Sequence, residues 1–494
     1  MNMAQYASYT RLPKVNKTIQ KVPLPTKVLQ FGEGNFLRAF ADEMIDTANK
    51  ASVFHGGIQI VKPIKSGTLA PFYAQDCVYT VILRGKLNGK SQETKRVITS
   101  IIDAVDPYES YDAYNALAKC SELKVIISNT TEAGIVYHEN DIFNDEPPES
   151  FPGKLVKFLF SRYMAFNGAI DKGCIILPTE LIERNGSLLK EICLKLSALW
   201  DLPYEFNSWL TQHNIFCDTL VDRIVSGFPT KDIHSIEKDL QYTDELITVG
   251  EPYALWVIQS DQLEEVSNAF PLDKAGLPVL FTNDLLPYRE CKVRVLNGAH
   301  TLSAVVSYCM GLETVGDIMG DKDARQFLFK ALFNEIVPMV PLPAQAVQEY
   351  AESVLERFEN PDIRHYLSSI LMYSLSKFRS RLLPILRQTW ERKAALPPLI
   401  CFSLGALMAF YSGLLPEKYM SHGIAEDEAV LTFFREHHML TAPQLTVLFL
   451  REKNIWGEDL TAIPSLANLI SKSLIHIQTM GMRTAVVDIL KNLS

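Results

Sequence analysis

The segment 26–49 restricts the possible folds more than any other. Thr26-Lys27-Val28-Leu29-Gln30-Phe31 is short and apolar, the pattern of a buried strand. It runs directly into Gly32-Glu33-Gly34-Asn35-Phe36-Leu37-Arg38-Ala39-Phe40, and an amphipathic helix follows to about Asn49. Strand, Gly-x-Gly and helix in immediate succession is how a parallel α/β sheet binds a dinucleotide. The first glycine permits a tight turn, the second lets backbone approach a pyrophosphate, and the helix N-terminus offers free N–H groups. Phe31, Gly32, Gly34, Asn35, Phe36 and Arg38 are therefore candidate cofactor-binding residues. Leu37 stands where the usual third glycine would be, and any strand-to-helix turn can carry two glycines. An ordinary turn stays the alternative.

Gly57–Lys62 reads as the second strand. NAD is expected with NADP left open: the strand end, Val61-Lys62-Pro63, carries no acid to hold an adenosine ribose, which weakens a preference for NAD, and Lys62 is a group that would meet a 2′-phosphate. Val78–Arg84 and Arg96–Val105 read as two strands about the polar turn Gly85–Thr94, which contains Asn88-Gly89. Helix 108–120 and strand Lys124–Ser128 follow. Asn129-Thr130-Thr131-Glu132-Ala133-Gly134 sits beyond that strand. Ser128, Asn129 and Thr130 are candidates for holding a cofactor ribose, against a plain polar turn capping a helix. An acidic, Pro-rich loop spans 139–153, Leu155–Ala165 is helical, and the strand Cys174–Leu177 ends in the polar Pro178–Gly186. Cys217–Arg223 is another strand-end cluster, and strands near Leu246–Val249 and Pro278–Phe281 complete a mixed sheet.

From Asp284 the periodicity is helical: Lys292–Cys309, Ala324–Ile336, Ala344–Phe358, Arg364–Phe378, an apolar helix near 399–412, Glu426–His437 and Ser471–Leu493. The expected architecture is an α/β, Rossmann-like dinucleotide-binding domain over 1–283 with an elaborated mixed sheet, then a mainly α-helical domain over 284–494. Leu396 to Leu415 is uncharged. Pro397-Pro398 and Gly413 bracket about four helical turns there, which suits a buried helix better than a bilayer span.

Composition narrows the partners. A net charge of −9 argues against a general nucleic-acid binder. The eight cysteines form no C-x-x-C pair, so neither zinc nor a disulfide framework is indicated, and free thiols in a reducing cytoplasm are expected. Met1–Lys21 lacks the apolar core of a secretory signal. A small-molecule substrate is expected, with no membrane partner; the oligomeric state is open, a monomer included.

Lys292-Val293-Arg294-Val295-Leu296-Asn297-Gly298-Ala299-His300 carries the chemistry. On an α-helix Lys292, His300 and Asn297 fall at roughly 0°, 80° and 140°, so all three can look into one cavity, with Arg294 and Gly298 toward the back. Alcohol–ketone interconversion needs such a set. Lys can exchange the hydroxyl proton, while an amide and an imidazole N–H stabilise the developing alkoxide. A surface helix holding the three by chance is the alternative. The stretch lies just past the domain boundary and is expected to face the cleft between the domains.

Taken together, Gly32–Phe40 and Lys292–His300 resemble the polyol-specific long-chain dehydrogenases, the mannitol dehydrogenase family. Val221-Asp222-Arg223-Ile224, Glu251-Pro252-Tyr253-Ala254-Leu255-Trp256-Val257-Ile258 and Asn297–Thr301 extend the resemblance over nearly the whole chain. It implies an NAD- or NADP-dependent oxidoreductase without a catalytic metal. In it Lys292 is the general base, Asn297 and His300 bind the reacting oxygen, and Asp222 lies at the substrate end of the cleft. Ile127–Gly134 and Leu177–Gly186 resemble the family's hexuronate-acting members. The mannitol branch has Cys-Asp-Asn ahead of its Asn-Gly, where this chain has Thr179-Glu180. Glu180 is thus a candidate to bind a substrate hydroxyl or tune Lys292. A hexuronate carries a carboxylate, which calls for a fixed cation. Ser376-Lys377-Phe378-Arg379-Ser380-Arg381, after an expected helix and before Pro384, offers Lys377, Arg379 and Arg381, a solvated basic turn being the alternative.

Overall fold

The computed structural model describes residues 12–493 apart from 132, 363 and 414–422. The first half of Met1–Lys21, Glu132 of the polar turn and the end of the uncharged stretch lie outside the described residues. The strands are β1 (Thr26–Phe31), β2 (Gly57–Val61), β3 (Tyr79–Leu87), β4 (Lys90–Ile98), β5 (Ile101–Val105), β6 (Val125–Ser128) and β7 (Ile175–Pro178). They continue with β8 (Ile215–Phe216), β9 (Asp218–Asp222), β10 (Val225–Gly227), β11 (Thr248–Gly250), β12 (Leu255–Gln259) and β13 (Val279–Thr282). Six form a parallel sheet in the order β5-β2-β1-β6-β7-β8.

β1 takes an inner place because Val28–Phe31 are all buried. Val28 joins a core with Phe40, Met44 and Ile45 of the helical run 35–50. Leu29 and Phe31 join a second core with Leu155, Phe158 and Leu159 of the helix Phe151–Ala165. This alternation places a helical layer on each face, as a parallel sheet requires. Two mixed sheets, β10-β11-β3-β4 and β13-β12-β9, complete the α/β part.

The hairpin differs from its expected form. Its turn is only Asn88-Gly89, both at positive φ (54° and 74°), which suits a two-residue connection between twisted strands. The expected strand Arg96–Val105 is two strands. The chain breaks at Thr99-Ser100, where the Asp46 carboxylate accepts from Thr99 N (2.9 Å) and Ser100 Oγ (3.0 Å). β5 then leaves the hairpin and pairs with β2 in the six-stranded sheet.

The chain divides into two compact units, Met1–Gly85 with Ser91–Leu285, and Lys86–Lys90 with Leu286–Ser494. The second is built round the helix Gly298–Cys309, in which every residue but Tyr308 is buried. Pro398–Tyr411, packed against it, is buried from Leu399 to Tyr411, so the uncharged stretch is a core helix. Among the described residues no helix is long and apolar enough to cross a membrane. Gly405 marks where this helix meets Leu466–Met480: a Cβ there would lie 2.9 Å from Ser473 Cβ and 3.3 Å from the Ile470 carbonyl oxygen.

Several helices expected to be continuous are interrupted or change pitch; Ala324–Ile336, for one, becomes a π turn from Ala331. Arg364–Phe378 is instead Leu367–Leu371 and Ser374–Arg381, broken at Tyr373, which is left-handed (φ 52°) and donates its N–H to Ala425 O at 2.8 Å. Ser471–Leu493 is instead Leu466–Met480 and Met482–Asn492, parted by Gly481 at φ 79°. The start of Lys292–Cys309 is a π turn, Lys292–Asn297, which continues as α-helix from Gly298.

Glu335 caps the helix Pro398–Tyr411 from outside it. Its carboxylate accepts from Leu399 N (2.8 Å) and Ile400 N (2.9 Å), two donors with no intrahelical partner. Burial pushes the Glu335 carboxyl up to about 7, against the pull of those N–H groups. The folded value thus exceeds the unfolded value of about 4.3. The group's contribution to stability is full below that unfolded value and is lost as pH rises through about 7. Glu335→Gln should therefore flatten the decline in thermal midpoint between about pH 5 and 8. An unchanged slope would show that Glu335 does not titrate in that window.

Candidate active site

Gly32 and Gly34 do different work at the carboxyl edge of the parallel sheet. Gly32 sits at φ 127°, and a Cβ there would meet the Asn129 carbonyl oxygen and Leu37 Cδ1, each at 3.0 Å. Only glycine fits. Gly34 has an ordinary φ of −70°, and a Cβ on it would meet nothing within 4 Å. Open space thus borders bare backbone where the helical run 35–50 begins, and its first amides lack intrahelical acceptors. The residues present fit a pyrophosphate at this place.

The other candidates here divide into backbone and buried groups. Phe31 is a core side chain, packed against Phe151 (5.0 Å between ring centroids), while its carbonyl oxygen accepts from Asn129 N at 3.0 Å. Phe36 stacks on Phe40 (4.9 Å). The Arg38 guanidinium is buried and donates to Leu246 O and to Asn35 Oδ1, the latter at 2.8 Å. Asn35 Oδ1 also accepts from Thr248 Oγ1 at 3.2 Å. Arg38 and Asn35 therefore fix the helical run against the segment 246–248.

Ser128, Asn129, Thr130 and Glu180 are brought together. The buried Glu180 carboxylate accepts from Ser128 Oγ (3.1 Å), Thr130 N (2.9 Å) and Thr130 Oγ1 (2.9 Å). Burial raises its pKa, and these donors oppose the rise. Asn129 Nδ2 reaches the carbonyl oxygen (3.2 Å) and hydroxyl (3.1 Å) of Thr179. Glu180 thus ties the carboxyl ends of β6 and β7, and the Ser128 and Thr130 hydroxyls point at it. Asp222, buried at the end of β9, stands opposite Leu255 of β12.

In the helical unit, Lys292 and Asn297 are the first and last residues of the π turn, and both are half-buried. Closing a turn i→i+5 instead of i→i+4 brings residues five apart nearer to one face than an α-helix does. The α-helical angles expected from the sequence are corrected accordingly. Arg294 lies behind, donating to Met339 O (2.7 Å) and Gln388 Oε1 (2.9 Å), and the Cβ position of Gly298 packs on Leu382.

His300 is buried, stacked on Phe358 (4.4 Å, 14° between planes) and edge-on to His365 (4.8 Å). Its Nε2 has no hydrogen-bond partner among the described residues. Burial holds its pKa well below 6.5, and His365, Arg357, Arg381 and Lys377 push the same way, so the ring is neutral at pH 7. Arg357, Phe358 and His365 are missing from the sequence reading. No local motif marks them, since they come from the end of the helix Ala344–Phe358 and the turn after it.

The basic cluster splits across its own helix, Ser374–Arg381. Lys377 and Arg381, four apart, share a face. Arg381 donates to Thr301 Oγ1 (3.1 Å) and Asn297 O (3.4 Å), and Lys377 to Ile370 O (3.0 Å). Burial lowers the pKa of both, and Arg381 adds to the effect on Lys377. Arg379 is exposed and turns elsewhere, to Ile455 O at 3.1 Å. Among the described residues no group of three or more His, Cys, Asp or Glu side chains could hold a metal ion.

Comparison with known proteins matches both halves. Residues 26–270 match the mannitol dehydrogenase Rossmann domain, and residues 284–478 match the mannitol dehydrogenase C-terminal domain. An altronate oxidoreductase of Bacillus subtilis (strain 168) is 41% identical over 482 residues, 96% of this chain and 98% of that protein. One of Yersinia pestis is 41% identical over 94% of this chain and 96% of its own length. Among solved structures, a substrate-free D-sorbitol dehydrogenase superposes with a TM-score of 0.78 at 21% identity, covering 97% of this chain and 99% of that one. Pseudomonas fluorescens mannitol 2-dehydrogenase, in a ternary complex with NAD and D-mannitol, gives 0.66 at 20% identity and 95% of each chain. These two share the fold, and with matched models across both halves and relatives at 41% identity the chain belongs to the mannitol dehydrogenase family.

Proposed function

We propose that this protein is an NAD-linked oxidoreductase that interconverts D-tagaturonate and D-altronate in hexuronate breakdown. The observation that carries the reading is the buried, neutral His300 ring, whose Nε2 has no hydrogen-bond partner among the described residues. It belongs to one helical run with Lys292 and Asn297, beneath the cations Lys377 and Arg381. The altronate oxidoreductases at 41% identity support the substrate class.

The backbone at Gly32–Gly34 would hold the pyrophosphate of NAD with no side chain in the way, and the bound dinucleotide would supply the hydride acceptor for the alcohol and, reduced, the hydride donor for the ketone. His300 Nε2–H and the Asn297 amide donate to the reacting oxygen, where negative charge develops in either direction. Neutrality suits His300 to that part, because it donates without competing for the transferred proton. Lys292 gives a proton to that oxygen during reduction and takes it back during oxidation. Phe358, stacked on the imidazole, keeps its orientation. Lys377 and Arg381 meet the substrate carboxylate, since an ion in a half-buried site needs a charged partner.

The deciding experiment is NADH oxidation against tagaturonate, fructuronate and fructose. Tagaturonate should give the highest kcat/KM. A preference for fructuronate or fructose moves the assignment to a sister hexuronate or polyol enzyme, and no carbonyl-dependent oxidation at all would favour a nucleotide-binding protein without catalysis. Lys292→Ala should lower turnover by about 10²–10⁴ with NADH affinity nearly unchanged. Turnover within roughly threefold of wild type would remove Lys292 from the proton step.

Gly34→Val tests the cofactor cradle. Because a Cβ at Gly34 meets no protein atom, the variant should keep wild-type circular dichroism while NADH affinity, read by fluorescence titration, falls sharply. Unchanged affinity would place the dinucleotide elsewhere.

The split basic cluster makes the carboxylate assignment testable. Lys377→Ala should raise KM for tagaturonate by roughly 10–100-fold and spare the activity on fructose. Arg379→Ala should change neither. Equal damage from the two would mean that the exposed side of the helix binds the substrate.

A further inference from the structure

The end of β2 carries a cation where a dinucleotide-binding sheet commonly places an acid. That cation does not stand alone. The Lys62 ammonium is almost fully buried and donates to Asp106 Oδ2 at 2.6 Å and to the Lys65 carbonyl oxygen at 3.1 Å. Asp106 follows β5, the parallel neighbour of β2, so two adjacent strand ends supply the pair. The other Asp106 oxygen accepts from Tyr108 N at 2.9 Å, which fixes the carboxylate in place. Glu33, between the two glycines, is a second acid at the same edge, because β1 pairs with β2 and Gly32 N donates to Val61 O at 3.1 Å. Burial raises the Glu33 pKa, while Lys62 and Arg38 favour its charged form and Asp106 opposes it.

We propose that Asp106 and Glu33 mask Lys62, so that the end of β2 accepts the plain adenosine ribose of NAD(H) and rejects the 2′-phosphate of NADP(H). This rests on the dinucleotide reading of Gly32–Gly34. A 2′-phosphate brings nearly two negative charges. A bare lysine would welcome it, but an ammonium neutralised by one carboxylate and flanked by a second gives it no net attraction. Lys62 is a latent phosphate partner, and its two acids set the preference. The exposed Lys65, on the same turn, contributes its backbone to the pair and leaves its own charge in solvent.

The test is equilibrium binding of NADH and NADPH, each by fluorescence titration, independent of turnover. Wild type should bind NADH at least roughly tenfold more tightly than NADPH. Asp106→Asn keeps an acceptor for Tyr108 N and removes the charge. It should move the NADPH-to-NADH affinity ratio toward NADPH by about tenfold or more. Adding Lys62→Met to Asp106→Asn should abolish that gain. Glu33→Gln, at a half-buried position outside the buried pair, should shift the ratio in the same direction by less, and it carries the test if Asp106→Asn does not fold. The proposal is overturned if wild type binds NADPH as tightly as NADH, the result expected were Lys65 to read a phosphate. It is also overturned if NADH still binds and neither charge-removing variant moves the ratio. Wild type binding neither dinucleotide would instead sink the cofactor reading on which the proposal rests.

Discussion

The Arg223 guanidinium holds the α/β unit in the shape that a cofactor cradle needs. It donates to Ala39 O (2.6 Å), to the Glu43 carboxylate (3.1 Å) and to the carbonyl oxygens of Tyr253 (3.0 Å) and Pro252 (3.3 Å). One buried cation thus joins the helical run that starts at Gly34, the end of β9 and the turn before β12. Glu251 accepts from Ile224 N at 2.6 Å beside it. Trp256 packs on Phe40 (5.2 Å between ring centroids) and seals the same junction with apolar surface. A buried ion left unpaired costs several kcal/mol, so this arrangement is strongly specified once the chain collapses. The same rule governs Arg162, fully buried and bonded to the carbonyl oxygens of Ala118, Cys120, Leu123 and Lys172.

That rule sets the polar groups bonded within the protein apart from His300. Arg38, Arg223, Arg294 and Glu180 all carry chemistry-bearing side chains near a candidate site, yet each is bonded within the protein. His300 differs: its ring is fixed by Phe358 and His365, and its Nε2 has no hydrogen-bond partner among the described residues. A neutral ring tolerates this far better than an ion would. Burial keeps the ring neutral, and the cations Arg357, Arg381 and Lys377 push the same way.

Legibility followed the range of the interactions. β1, the glycine turn and its helix were readable because strand pattern, turn chemistry and helix start are contiguous. The buried helix 398–411 was readable from an unbroken apolar run between prolines and a glycine. The helix breaks at Tyr373 and Gly481 were not anticipated, although Gly481 was a visible signal; Tyr373 is held by Ala425, which no local pattern foretells. Glu180 is a candidate substrate ligand because Thr179-Glu180 stands where the mannitol branch has Cys-Asp-Asn. Its actual partners, Ser128 and Thr130, lie some fifty residues away, across two parallel strand ends. Arg379 looked equivalent to Lys377 and Arg381 until the helix containing all three was placed: an offset of two puts a residue nearly on the opposite side.

The π turn at Lys292–Asn297 lets the upstream residues face differently from those of an unbroken α-helix. Downstream, Gly298–Cys309 must bury nearly its whole circumference, and Ala299, Leu302, Val305 and Val306 fix its azimuth. Upstream, Lys292 and Asn297 would lie about 140° apart on an α-helix and come nearer to one face in a wider turn. A single wider turn rotates the upstream residues relative to the core helix without disturbing its packing. Such a turn has poorer hydrogen-bond geometry, and here side chains compensate. Thr301 Oγ1 and the Arg381 guanidinium both donate to Asn297 O, and Arg294 anchors the opposite side through Met339, Gln388 and Glu290. Arg381 therefore does two things at once, holding the backbone at the end of the π turn and contributing to the field that keeps His300 neutral. The backbone at the end of the π turn and the field at His300 are consequently coupled through one residue.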